Sequence, residues 1–166
     1  MAAIALMAGC SVSEDITTEP TLTSFSSRCI EEISYTVKTD IPAHTELIPP
    51  ILSLVYSAGR EKLDIHFEYM IFYCNLDPVK FIAKVEGDVI SIGYFPNYMM
   101  DEYIDCVCSA ELDCSLEKLS PGNYILDIYD LSWLNQKNPD FPDDPEYPKF
   151  RMEVDLTKDV SISTAI

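Results

Sequence analysis

From about residue 30 onward, apolar and polar residues alternate with a period of two, the mark of strands with one buried and one wet face. Helical periodicity is sparse. Ile33, Tyr35 and Val37 predict a first strand, and Ile51 to Tyr56 a second after the Pro49–Pro50 break. Ser57 to Lys62 then turns around Gly59. The third strand is the clearest, with Leu63, Ile65, Phe67 and Tyr69 on one face and Asp64, His66 and Glu68 on the other. Val79 to Val85 and Val89 to Tyr94 flank Glu86, Gly87 and Asp88, which predicts a hairpin. Cys108, Ala110, Leu112, Cys114 and Leu116 share a parity, and Ser120, Pro121, Gly122 and Asn123 turn the chain into Tyr124 to Tyr129 as a second hairpin. Met152, Val154 and Leu156 alternate, and Val160 and Ile162 predict a last strand.

Eight or nine short strands in succession predict an all-β fold, an antiparallel β-sandwich of about eight strands, immunoglobulin-like in plan. Residues 29–166 are expected to form its single domain. Two segments interrupt the pattern. Residues 134–150, LNQKNPDFPDDPEYPKF, carry four prolines and four acids and predict a long exposed loop. Loops of this length are often functional, so Asp140, Phe141, Asp143, Asp144 and Tyr147 are candidates for a contact surface. In GYFPNYMMDEY, residues 93–103, Tyr94, Phe95, Tyr98 and Tyr103 accompany Met99 and Met100. Exposed, these rings form a platform for a sugar or a protein; buried, they are core and a strand crossover.

Charge narrows the partners. Eleven Lys and Arg stand against 28 Asp and Glu, a formal net charge of −17, which repels a phosphate backbone and argues against nucleic acid. The chain is 48% hydrophobic, too apolar for a disordered chain, yet has no run of eighteen apolar residues to span a bilayer.

The N-terminal segment departs from the strand pattern. Residues 2–9, AAIALMAG, are small and apolar, run directly into Cys10 and are followed by the polar stretch Ser11 to Asp15. LMAGC resembles the lipobox of bacterial lipoproteins, in which small residues precede a cysteine that becomes lipidated and starts the mature chain. The resemblance implies a residual signal peptide over 1–9, a diacylglyceryl group on Cys10, and a flexible, Ser- and Thr-rich tether over 10–28. An export signal ordinarily begins with a basic segment, so the true start is expected upstream. Ser11, in place of Asp, implies an outer-membrane address, and Glu14 and Asp15 are similar to the acidic surface-export signal of Bacteroidetes lipoproteins. The periplasmic side and the cell surface both stay open.

Cys29, Cys74, Cys106, Cys108 and Cys114 remain, an odd number in a compartment that permits disulfides. Cys106 and Cys108 lie on one side of a strand, their Cβ atoms roughly 7 Å apart where a disulfide needs about 4 Å, so each requires a partner on a neighbouring strand. Cys74 is the expected partner for one of them, with Cys29 a further candidate. Cys114 is the best candidate for a buried, unreactive thiol. Thiols at 74, 106, 108 and 114 are a soft-metal alternative, but their spacing is not that of paired zinc ligands, and neither His44 nor His66 is near them in sequence. No metal or other cofactor is expected.

Residues 105–130 also resemble a Cys-x-Cys strand followed by a leucine, a turn and a Gly-x-Tyr strand found in small uncharacterised lipoproteins of Bacteroidetes; the matching residues are Cys106, Cys108, Leu119, Gly122 and Tyr124. That resemblance implies location and fold, without an activity. Nucleophile elbows, metalloprotease His pairs, phosphate loops and dinucleotide fingerprints are all missing from the text. His66 reads as a surface residue opposite the core face, and the acids at 140, 143, 144 and 146 do not follow an EF-hand spacing. The sequence therefore predicts a non-enzymatic, lipid-anchored envelope domain with an interaction or structural role, its partner an envelope protein or a glycan. A carbohydrate-binding accessory lipoprotein and a small carboxylate-dependent hydrolase are the alternatives.

Overall fold

The computed structural model describes residues 19–34, 48–73, 79–95, 106–132, 141 and 148–166. They form nine strands: β1 Thr21–Ser34, β2 Ile51–Ser57, β3 Lys62–Tyr73, β4 Lys80–Glu86, β5 Val89–Phe95, β6 Cys106–Glu117, β7 Asn123–Asp130, β8 Phe150–Asp155 and β9 Val160–Ala165. A five-stranded sheet, β1-β6-β3-β2-β9, faces a four-stranded sheet, β4-β5-β7-β8. The architecture is an all-β sandwich, as the alternation predicts.

Period-two patterning fills the space between the sheets. Leu52, Leu54 and Tyr56 of β2, Leu63, Ile65 and Phe67 of β3, and the even-numbered residues from Cys108 to Leu116 of β6 meet Phe81, Ile90, Ile92, Tyr94, Leu126, Ile128 and Val154 of the second sheet. Each fully buried Leu, Ile or Phe contributes roughly 1.5–3 kcal/mol relative to an exposed one. Phe67 stacks near Phe81, with ring centroids 6.2 Å apart, and Tyr94 meets the edge of Phe72 at 6.2 Å.

Three features depart from strict alternation. In β3 the pairing with β6 skips one residue between Phe67 and Met70, a β-bulge at which Tyr69 takes φ 59°. The extra residue reverses the parity, so Met70 and Phe72, not Tyr69, continue the core face. Second, β1 starts at Thr21, so residues 21–28 belong to the sheet and not to a tether. Leu22, Phe25, Ser27 and Cys29 lie opposite the core-facing Leu116, Cys114, Leu112 and Ala110 of β6. Register shifts after Leu22 and Cys29 break the alternation that would reveal it. Of the expected first strand, Ile33 falls in β1, while Tyr35 and Val37 lie outside the described residues.

Third, the turn at 118–122 does not close a hairpin. β6 pairs with β1 and β3, whereas β7 lies in the other sheet beside β8 and, in parallel, β5. The turn is a crossing held by two tyrosines. Tyr56 Oη donates to the Leu119 carbonyl at 2.7 Å, and Tyr124 Oη donates to that of Ser120 at 2.8 Å. The second bond, from a strand-start tyrosine back to the chain four residues upstream, is a tyrosine corner, a recurrent tie in sandwich folds. Leu119 itself is fully buried. By contrast, β2–β3 and β4–β5 are antiparallel hairpins, the latter turning at Gly87 with φ 61°.

Gly93 of β5 shows how tightly the outer face of the second sheet is covered: a Cβ placed there would lie 2.4 Å from Leu131 Cδ1 and 3.0 Å from Ile82 Cγ1. Gly93→Ala is expected to destabilise the fold by about 1–3 kcal/mol in urea unfolding. Adding Leu131→Ala removes the collision, so the double variant should cost less than the sum of the two; strict additivity would refute the contact.

Candidate functional site

The outer face of the β4-β5-β7-β8 sheet carries most of the remaining chemistry, arranged in three zones along β7 and β8. At one end Phe95, Tyr129 and Leu131 form a second apolar cluster, packed by Ile82 and by Phe141, whose ring meets Tyr129 edge-on at 5.6 Å. In the middle, Arg151 Nε and Nη2 donate to the two oxygens of Asp127, each at 2.6 Å. The Asp127 side chain is 2% exposed and that of Arg151 60%, so the fork neutralises a carboxylate that water barely reaches. Tyr129 Oη adds a longer bond to Asp127, 3.4 Å. Burial, then the charge of Asp127, holds the Tyr129 hydroxyl above its ordinary range, so it stays a donor.

At the other end is an open groove of about 490 Å³ lined by Asp88, Asn123, Tyr124, Ile125, Glu153, Val154 and Asp155. Its polar groups are three carboxylates and one amide beside a half-buried ring. Asp155 is already engaged: it accepts from Thr157 Oγ1 at 2.6 Å and from Thr157 N at 3.0 Å, which hold its carboxyl below the usual range. It is therefore a turn-forming carboxylate and a poor proton donor.

The outer face of the other sheet bears a polar ladder. His66 Nδ1 lies 2.7 Å from Asp113 Oδ1 and Nε2 3.5 Å from Glu68, while Ser26 Oγ donates to the other oxygen of Asp113 at 3.1 Å. The serine is on the far side of the carboxylate from the imidazole, so the order Ser–Asp–His cannot relay a proton from hydroxyl to ring. Ser115 Oγ donates to Asp64 at 2.5 Å, and Lys62 pairs with it at 2.7 Å. Burial alone would raise the Asp64 carboxyl, but these bonds and the charges of Lys62 and Arg60 bring it below the ordinary value.

Among the cysteines, Cys29 of β1 is bonded to Cys108 of β6, with Cα atoms 5.7 Å apart and a sequence separation of 79. Cys108 thus has its partner on the neighbouring strand, and that partner is Cys29. A loop of this size corresponds to about 4 kcal/mol in the chain-entropy model. The bridge also removes Cys108 as a thiolate ligand for a soft metal. Cys114 is a free thiol, 1% exposed, and burial followed by the charges of Asp113 and Asp64 pushes its ionisation well above the ordinary range. It stays protonated and unreactive. Cys74 and the side chain of Cys106 lie outside the described residues.

The aromatic platform needs correction at two positions. Tyr94 is 1% exposed and Phe95 5%, one on each face of β5, so neither offers a ring to a ligand. Alternation within the strand, and a cluster on both faces of the sheet, bury them both. Tyr98 and Tyr103 lie outside the described residues, as do Cys10, His44, Asp140, Asp143, Asp144 and Tyr147. Of the loop candidates, Phe141 is described, and it packs onto the sheet. The sequence pattern missed the Asp127–Arg151 fork and the groove, because their members sit on different strands far apart in the chain. Among the described residues no three His, Cys, Asp or Glu come together to hold a metal, and no helix is long and apolar enough to cross a membrane. No protein-family model, curated protein or solved structure matches the chain.

Arg151→Ala leaves the Asp127 carboxylate buried and unpaired, and its melting temperature should fall well below that of Arg28→Ala, whose partner Glu111 is partly exposed. Equal melting temperatures would contradict this role. For Asp64, a folded-state value below the unfolded one means stabilisation that is complete above the ordinary carboxylate range and lost as pH falls through the lowered value. Asp64→Asn should therefore cost under about 1 kcal/mol at neutral pH, and the gap to the parent protein should close in acid urea titrations.

Proposed function

We propose that the chain is a non-enzymatic, lipid-anchored domain of a bacterial outer membrane, held through Cys10, with an interaction or structural role in the envelope. The observation that carries this reading is the run AAIALMAG leading straight into Cys10 and then into polar residues. With β1 beginning at Thr21, residues 11–20 are the linker, which can span at most about 35 Å when fully extended. The sandwich is then held close to its bilayer. Two or more acyl chains, at about 0.8 kcal/mol per buried CH₂, make such an anchor stable.

Contacts with another envelope protein are assigned to the acidic, proline-rich segment 134–150. Two of its own residues tie it to the sandwich: Phe141 packs on Tyr129, and Lys149 Nζ donates to Tyr94 Oη at 3.1 Å. Recognition loops are typically mounted in this way on a stiff scaffold.

A glycan is the second reading, favoured by the groove at Asp88, Asn123, Tyr124, Glu153 and Asp155, where acceptors and an amide stand beside an aromatic ring. Sugar hydroxyls would donate to the carboxylates. Amide chemical shifts of residues 123–125 and 153–155 should then move on titration with neutral oligosaccharides, and Glu153→Gln should weaken the response. Shifts absent at millimolar sugar would remove this reading.

The anchor is tested in a bacterial host fed an alkyne fatty acid. The full chain should take up the label and partition into detergent, whereas Cys10→Ser should lose both properties. Equal labelling of the two chains would overturn the proposal.

A further inference from the structure

β1 is held to its sheet along one side and by a disulfide. It lies at an edge and hydrogen-bonds to β6 alone, in a register twice interrupted by an extra residue. None of its described side chains, 21–30, belongs to the buried core; Leu22 packs partly against it, and Phe25 and Ile30 are each 49% exposed. Its ties beyond the ladder are few. Ser27 Oγ accepts from Val79 N at 3.0 Å, Phe25 lies 6.5 Å from Phe81, and Ser26 and Arg28 bond the carboxylates of Asp113 and Glu111 on β6. The one covalent tie is the Cys29–Cys108 bridge, whose two ends differ: Cys29 is exposed, whereas Cys108 is fully buried on the core face of β6.

The remaining strands do not depend on β1. β6 is still paired along its length with β3, and the apolar seam is complete from residues 52–156. We propose that β1 is a disulfide-latched strand, released by a dithiol reductant without unfolding of the sandwich. A thiolate of the reductant attacks Cys29 Sγ, the exposed end, and forms a mixed disulfide; Cys108 leaves and takes up a proton. The second thiolate of the reductant then closes on its own sulfur and releases Cys29, which is protonated in turn. The reductant ends as a disulfide and the protein holds two thiols. Peeling of β1 then uncovers the N–H and C=O row along one side of β6.

The test is hydrogen exchange on the full chain, oxidised and after dithiothreitol. In the oxidised protein, amides of 21–30 should be protected. After reduction they should exchange at near-unprotected rates, while amides of β3, β5 and β7 keep at least hundredfold protection. Trypsin offers an independent readout, since cleavage after Arg28 should appear only in the reduced protein. Cys29→Ser should behave as the reduced form without any reductant, and Cys114→Ser should keep the oxidised pattern. Protection of β1 that survives reduction, loss of protection in all strands together, or a Cys29→Ser chain that fails to fold would each overturn the proposal.

Discussion

The structure depends on one seam, where the inward side chains of two sheets exclude water from each other. β6 occupies the strategic position. Its alternate residues from Cys108 to Leu116 are all buried, and both of its edges are paired, to β1 and β3. Because the seam is apolar on both sides, each strand must present the same parity for its whole length or correct the parity locally. The bulge at Glu68–Tyr69 is such a correction, and it places a non-glycine residue at positive φ, a conformation that costs of order 1–3 kcal/mol and is sustained by burial of Met70 and Phe72.

A sandwich also has to pass its chain from one sheet to the other without exposing the core or leaving backbone groups unpaired. Residues 117–124 solve this with a buried leucine and two tyrosine hydroxyls that satisfy consecutive carbonyls. Those hydroxyls stay protonated: burial, then neighbouring Tyr124, Glu61 and Asp159, raises Tyr56, and burial with Glu61 raises Tyr124. The same logic explains the second sheet's outer face. An apolar cluster over Gly93, a forked ion pair over Asp127 and an open groove beyond it follow one another along β7, so a single face passes from dry to wet. Phe141 and Lys149 are fastened at the dry end.

Net charge shapes the surface more than the fold. With acids far outnumbering bases, five of the described cations, Arg28, Lys62, Lys84, Lys149 and Arg151, each lie beside a carboxylate. Most of these pairs are exposed and add little stability. Arg151 is the exception, because its partner is cut off from water.

Sequence alone determined the fold class and most of the strands, since period-two burial is written residue by residue into β2 and the first half of β3, and alternating apolar residues mark β6 and β8. It also carries the apolar run into Cys10, the local pattern on which the proposed anchor rests. It did not reveal β1, where two bulges and the polar residues Ser24, Ser26, Ser27 and Arg28 around Phe25 erase the alternation. Nor did it tell a hairpin from a sheet crossing at 118–122, because the same turn residues serve both; only the partners of Tyr56 and Tyr124 distinguish them. The Cys29–Cys108 bridge, the Asp127–Arg151 fork, the groove and the burial of Tyr94 and Phe95 were all decided by tertiary structure. Each depends on which strands become neighbours, and strand order is set by the packing of two whole sheets, a property that no local stretch of the chain contains.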